Sequence, residues 1–385
     1  MRAGMSEEPI NDLLADFKDA EANNYTFMAL RGIQAGREYY SVMCQLSFIP
    51  KLFMFNEKEL PPTLRAQRQL NRSRIPTISR YILDDPENYV FSSITASIDG
   101  RVEFVPFRSN GAASKVGHLI IPQSARFVIN DGQHRKAAIE DALKKMPQLG
   151  LEHISVVFFV DGGLKRSQQM FSDLNKHALR PTLSLAILYN HRDPLARLCK
   201  KIGDQVPVFV QRIEVEKSSI SNRSHNLFTL SSLYQATKYL LGLSQKVGRI
   251  PEKSETVAIQ YWIEVSKHMP LWQLVKEGKV AAFDLRKNYV NVHGIVLQAL
   301  GFAGRALLDE YPDNWKERLS DLEKIDWSRS NKALWEGRAI YSGRISASNR
   351  NVTLVTIVIK QALGLHLGKV EQDLEKDHEE KIRVD

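Results

Sequence analysis

The sequence predicts an α/β protein, with a mixed sheet and its helices up to about residue 190 and a mainly helical region from there to the end. Three observations carry this. Short β-rich runs crowd the stretch before residue 160. Longer apolar segments of helical length lie near 225–243, 255–275, 291–309 and 351–367. Between them, "VINDGQHRKAAIEDAL" (128–143) switches from strand-like to helix-like patterning at a glycine. Two domains are expected, 1–190 and 191–385, and no internal repeat is visible.

In chain order, residues 1–24 read as a leading helix and "EYYSVMCQLSFI" (38–49) as a strand. The arginine-rich segment 61–80 reads as a helix, followed by a short second one, "PTISRYIL", with Pro76 suited to its first turn. Strands are expected at "YVFSSITASI", "VEFVPF", "HLIIP" and "RFVIN". A helix runs from about Gln133 until Pro147 ends it. "ISVVFFV" (154–160) is continuously apolar and reads as a strand buried on both faces. "DGG" then leads into a helix at about 165–175. Beyond it only "VPVFVQRIEV" suggests extended chain, and the C-terminal "KVEQDLEKDHEEKIRVD" reads as a solvated helix or frayed tail.

Composition sets outer limits. Of 385 residues, 43% are apolar and 25% charged, which is ordinary for a soluble chain. No window reaches 18 uncharged apolar residues, and acids near the N-terminus occupy the place of a signal peptide's apolar core. Only Cys44 and Cys199 occur, with no CxxC pair, which speaks against a disulfide framework or a zinc site and for a reducing cytoplasm. The net charge of +9 is compatible with a polyanionic partner. Its distribution is more telling. Segment 61–80 carries Arg65, Arg68, Arg72, Arg74 and Arg80 without a single acid, and a helix would put Arg65, Arg68 and Arg72 on one face. A second acid-free stretch, 337–351, spaces Arg338, Arg344 and Arg350 six residues apart among Gly, Ser and Asn, a composition suited to loops that follow phosphates.

The turn at 130–135 is the richest in chemistry. Where a strand enters a helix, unpaired backbone N–H groups and the helix dipole favour an anion. Gly132 allows positive φ or close approach to a ligand, Arg135 offers a forked donor for phosphate oxygens, and His134 can donate or accept a proton. Asp131 suits either a magnesium ion riding on phosphates or a helix cap. These residues suit a nucleotide phosphate better than a hydrolytic triad, having no serine or cysteine nucleophile among them. A plain helix start is the alternative, and neither a P-loop nor GxGxxG occurs in the chain.

"DGQHR" (131–135), with "FSDLNKHALRPTLSL" (171–185) downstream, resembles the DGQHR-domain proteins. Three N-terminal segments, "ALRGIQAGREYY", "ELPPTLRAQRQLNRSRIPTISRYIL" and "NYVFSSITASIDG", extend the likeness over most of the chain to the DndB family of DNA-sulfur-modification proteins. The wider likeness is to ParB and sulfiredoxin, where a strand, a glycine turn and a helix hold nucleotide phosphates. Gly132, His134 and Arg135 take the matching places, but Gln133 stands where sulfiredoxin has its cysteine, so thiolate chemistry has no nucleophile here.

The resemblance implies a DNA-binding autorepressor of a bacterial phosphorothioation operon, modulated by ATP, with magnesium as a companion ion and weak ATPase activity as a further capacity. It implies a site of Asn130, Asp131, Gly132, Gln133, His134, Arg135, Asn175 and Arg180, with Asp131, Gln133 and His134 in the catalytic roles. Double-stranded DNA of its own promoter is the expected partner, contacted by Arg65, Arg68, Arg72, Arg74, Arg338, Arg344 and Arg350. Solvated basic faces are the plain alternative for those arginines. DNA-modification proteins are further candidate partners, and a homodimer is what a repressor suggests, though no heptad supports it. The competing functions are a nucleotide-hydrolysing nickase or nuclease and an assembly factor of the modification machinery.

Overall fold

A computed structural model of the chain describes residues 23–53, 70–160, 169–170, 172–174, 181–221, 223–243 and 248–384. The expected leading helix, Arg65, Arg68, Asn175, Arg180 and the start of the helix after "DGG" lie outside the described residues. The chain divides into two compact units, Met1–Leu179 and Arg180–Asp385.

The first unit is a seven-stranded mixed sheet with strands β1 (Asn24–Gln34), β2 (Arg37–Gln45), β3 (Ile94–Asp99), β4 (Glu103–Pro106), β5 (Val116–Pro122), β6 (Arg126–Asp131) and β7 (His153–Val160). Their order is β4-β5-β1-β2-β7-β3-β6; β3 and β7 are parallel and every other pair antiparallel. The α/β class with a mixed sheet is therefore as the sequence predicts. Strand β1 is an addition to the predicted elements. It pairs with β2 through a two-residue loop, Ala35 and Gly36, both at positive φ (50° and 73°), the conformation of a type I′ hairpin turn. Alanine seldom occupies that conformation, so the usual Asn-Gly cue is missing.

Helices α1 (Ile49–Leu52), α2 (Ile75–Leu83) and α3 (Gln133–Lys145) accompany the sheet, with α2 starting at Ile75–Pro76 as proline's fixed φ favours. Ile82 of α2 and Ile139 and Ala142 of α3 are buried with Ile94, Ile98, Leu119, Phe127, Val156 and Phe158 of the sheet in one core. Strand β7 departs from expectation. Ile154, Val156 and Phe158 are buried but Ser155, Val157 and Phe159 only partly so, which makes it a one-sided strand despite its unbroken apolar run. The expected helix over 61–80 is described only from its end, where Arg72–Arg74 form a single 3-10 turn capped by the Asn71 side chain.

The second unit is mainly helical: α4 (Leu183–Tyr189), α5 (Pro194–Gln205), α6 (Leu230–Leu240), α7 (Glu252–Lys267), α8 (Pro270–Lys276), α9 (Ala282–Asn288), α10 (Gly294–Glu310), α11 (Trp315–Arg318), α12 (Lys332–Trp335), α13 (Asn349–Ala362) and α14 (Lys369–Val384). Two short pairs accompany them, β8 (Ile213–Glu214) with β9 (Phe228–Thr229) and β10 (Ile340–Tyr341) with β11 (Arg344–Ile345). Of the extended run expected at 206–215, only β8 is strand. The preceding residues are turns that drop Val208 and Phe209 into the core, so their apolar character reflects burial rather than pleating.

That core is aromatic. Trp262, Trp272, Tyr261, Phe209 and Phe228 are fully buried, and the polar tips find partners: Trp262 Nε1 donates to Thr237 Oγ1 (3.1 Å), Trp272 Nε1 to Asn291 O (3.1 Å) and Tyr261 OH to Leu300 O (2.6 Å). The acidic C-terminal segment is a helix, largely solvated as expected but docked along one side, where Glu375 and His378 of α14 are buried (8% and 3% exposed).

Candidate functional site

The DGQHR turn is built by a strand end, a bulge and a helix start. The β3–β6 register runs Ala96↔Ile129 and then Thr95↔Asp131, so Asn130 is the extra residue of a β-bulge. The bulge breaks alternation, and both Ile129 and Asn130 point inward. Gly132 then turns the chain at φ 108°, the left-handed conformation that favours glycine. A Cβ there would lie 3.1 Å from both Ile94 Cγ1 and Arg135 Nη2, so the backbone also passes close to its neighbours. Helix α3 begins immediately, and no side chain caps its N-terminus.

The side chains divide into two sets. Asn130 is 1% exposed; its Nδ2 donates to Ser97 Oγ (2.7 Å) and faces Met170 Sδ (3.0 Å), while Oδ1 lacks an acceptor's usual partner among the described residues. Asn130 therefore points inward, fixed by the bulge. Arg135 folds back over the turn. Its Nη2 donates to Asp131 Oδ2 (2.6 Å) and to Ser93 O (3.1 Å), and its buried Nε has no acceptor among the described residues. The Asp131 carboxylate is 45% exposed, so the pair opens to solvent on the acid's side. His134 accepts from the Asn71 backbone N–H at Nε2 (3.2 Å), which leaves that nitrogen without a hydrogen. Gln133 and His134 are half-buried at the first positions of α3.

The Asn71 contact has a consequence that sequence reasoning does not reach. Asn71 also caps the 3-10 turn Arg72–Arg74, so the end of the arginine-rich segment is anchored at the start of α3, with Arg72 and Arg74 exposed. Two of the residues expected at a DNA surface thus stand beside the expected phosphate turn. No spacing rule in the sequence links residue 71 to residue 134.

The arginines of 337–351 are placed differently from one another. Arg338 is 7% exposed and makes a two-pronged ion pair with Glu375 of α14, Nη1 to Oε2 at 2.5 Å and Nη2 to Oε1 at 2.7 Å. It is thus internal, because the acidic helix supplies its counter-charge. Arg350 is exposed and pairs with Asp377 of the same helix at 2.6 Å. Arg344 is exposed on β11, beyond a turn of Ser342 and Gly343. Loop composition alone suggests three equivalent donors.

Cys44 and Cys199 are both buried, and burial alone pushes the Cys44 thiol up to about 12, so neither is poised as a thiolate. Among the described residues no group of three His, Cys, Asp or Glu side chains could hold a metal ion, and no helix is long and apolar enough to cross a membrane.

Compared with known families, residues 27–366 match the model of the DndB family, described as DNA-sulfur modification-associated. The chain belongs to the DndB family. The match takes in the sheet, the DGQHR turn and the helical unit through α13, and stops before α14. Membership places this DndB-family chain in the context of DNA sulfur modification. No curated protein and no solved structure matches it.

Proposed function

We propose that this DndB-family protein is a DNA-binding repressor of its own sulfur-modification operon, and that ATP bound at the DGQHR turn weakens its hold on DNA. The observation that carries the reading is the shared anchor: His134 of the turn accepts a hydrogen bond from Asn71, which caps the segment presenting Arg72 and Arg74. A polyphosphate at the turn would add several negative charges beside arginines that would otherwise face DNA phosphates.

The residues present fit a phosphate. No side chain caps the N-terminus of α3, Gly132 removes the Cβ that would crowd it, and Arg135 has one guanidinium nitrogen without an acceptor among the described residues. Asp131 and Arg135 hold each other at 2.6 Å. The carboxylate keeps the guanidinium oriented and is itself the group to hold a magnesium ion accompanying the phosphates. ATP supplies the negative charge, and hydrolysis is not required for the switch.

The test is fluorescence anisotropy on the operon's promoter fragment against random DNA at fixed salt, with and without ATP and magnesium. Promoter-selective binding that ATP weakens, and that loses its ATP response in Arg135→Ala, is expected. Equal binding to both DNAs with no response to ATP would refute the repressor reading. Replacing Arg72 and Arg74 together by Ala is expected to weaken binding to all DNAs alike. It should also reduce the slope of log K against log salt by roughly 1 for each DNA phosphate no longer neutralised.

A further inference from the structure

The helical unit holds a cleft of about 530 Å³, in the range that accommodates small organic ligands. It forms where two helices begin: Thr229, Ser231 and Ser232 from the start of α6, and His293, Gly294 and Ile295 from the start of α10, all line it. The two helices run in the same direction. A Cβ on Gly294 would sit 2.5 Å from Ser232 Oγ, and one on Gly301 would sit 2.1 Å from Ala236 O, so both chains advance together. The positive ends of both dipoles therefore face one space, an arrangement that repels itself unless negative charge lies between them. Thr229 caps α6 by accepting from Ser232 N, but His293 gives α10 no side-chain cap.

A second observation points to the same charge. Arg286 lines the cleft, is 7% exposed and has no carboxylate partner among the described residues. Its Nη atoms donate to the carbonyls of Asn226 (2.7 Å), Ser224 and Ser221 (3.4 Å), and its Nε has no acceptor among the described residues. A second guanidinium, Arg329, donates to Arg286 O at 3.2 Å. Among the described residues that line the cleft, none is an aspartate or glutamate. Buried cations are ordinarily matched by anions, and the described lining of this cleft provides none. One wall, Leu183, Phe228 and Ile345, is apolar, while Gln235 and Gln298 offer carboxamide edges with both donors and acceptors.

We propose that this cleft binds a small phosphate ester, its phosphoryl group held by the start of α10 and by Arg286, and its organic part against the apolar wall. The site lies in the helical unit and is separate from the DGQHR turn, so each can fail without the other.

Calorimetric titration of the full-length chain tests it, with AMP and inorganic phosphate as the probes. The decisive variant is Gln298→Glu, isosteric and near the start of α10, where a carboxylate favours the helix while opposing a phosphate. AMP is expected to bind the wild type more tightly than inorganic phosphate does, and to bind Gln298→Glu at least tenfold more weakly. Arg286→Gln should also lose AMP; because Arg286 ties down the 221–226 loop, Gln298→Glu is the variant that decides. Absence of AMP binding at millimolar concentration, or unaltered binding in Gln298→Glu, would overturn the proposal. AMP binding lost in Arg135→Ala and kept in Gln298→Glu would move the ligand to the DGQHR turn. Inorganic phosphate binding as tightly as AMP would overturn the assignment to an ester.

Discussion

Replacing Glu375 by Gln should destabilise the helical unit sharply. The side chain keeps its shape, but the Arg338 guanidinium, 9% exposed, loses the only carboxylate that the ion pair gives it. Removing one partner of a buried pair leaves an uncompensated charge, at a cost of about 3–5 kcal/mol. Gln still offers one carbonyl oxygen to the guanidinium, so the lower end, about 3 kcal/mol, is expected. All five tryptophans, at 262, 272, 315, 327 and 335, lie in this unit, so their fluorescence in a urea titration follows its unfolding and not that of the sheet. The double replacement Arg338→Met with Glu375→Leu should recover most of the stability, because neither apolar residue leaves a buried charge. A destabilisation below about 1 kcal/mol for Glu375→Gln would refute the reasoning: the pair would then behave as a solvated one, and α14 would not be docked as described.

Acid should weaken the same unit in a defined window. Burial, helped by the nearby Arg329 and Arg286 charges, pushes His293 down to about 4 from an ordinary 6.5. The unfolded chain binds that proton first, so stability falls as pH drops from about 6.5 towards 4, by roughly 3 kcal/mol in total. Urea midpoints measured across that window should lose this slope in His293→Gln. Gly301→Ala sets a Cβ 2.1 Å from a backbone carbonyl of α6 and should destabilise by about 3 kcal/mol or more in the same assay. Gly132→Ala, strained at φ 108°, should lower the thermal stability of the sheet unit by about 1–2 kcal/mol, as calorimetry would register.

What is legible in the sequence is what local chemistry controls. Proline at the start of α2, glycine before α3 and the short β-rich runs give the elements around the turn nearly in place. The helical half is equally readable from its long apolar segments. Other features depend on partners distant in sequence. The inward turn of Asn130 needs a bulge against Thr95 and Ala96, which no run of residues announces. Arg338 reads as a surface donor because its counter-charge, Glu375, comes 37 residues later in a segment that looks solvated. The apolar runs at 154–160 and 206–215 mislead for one reason: hydrophobicity reports burial, and burial can be one-sided or occur in turns.

The sheet's connectivity also orders events in time. β1 and β2 meet through two residues, and such hairpins close within microseconds. The parallel pair β3–β7 sets Ile94 beside Val156, and among the described residues β6 is hydrogen-bonded within the sheet to β3 alone. The DGQHR turn leans on β3 through Thr95, Ile94 and the Ser93 carbonyl. Its geometry is therefore assembled only once these non-local pairings have formed, and they are the slow class of contacts. During synthesis, a chain cut off before β7 would carry the five residues of the motif without the strand order that fixes β3 in place. Competence at the turn would then arrive late, as a property of the finished sheet.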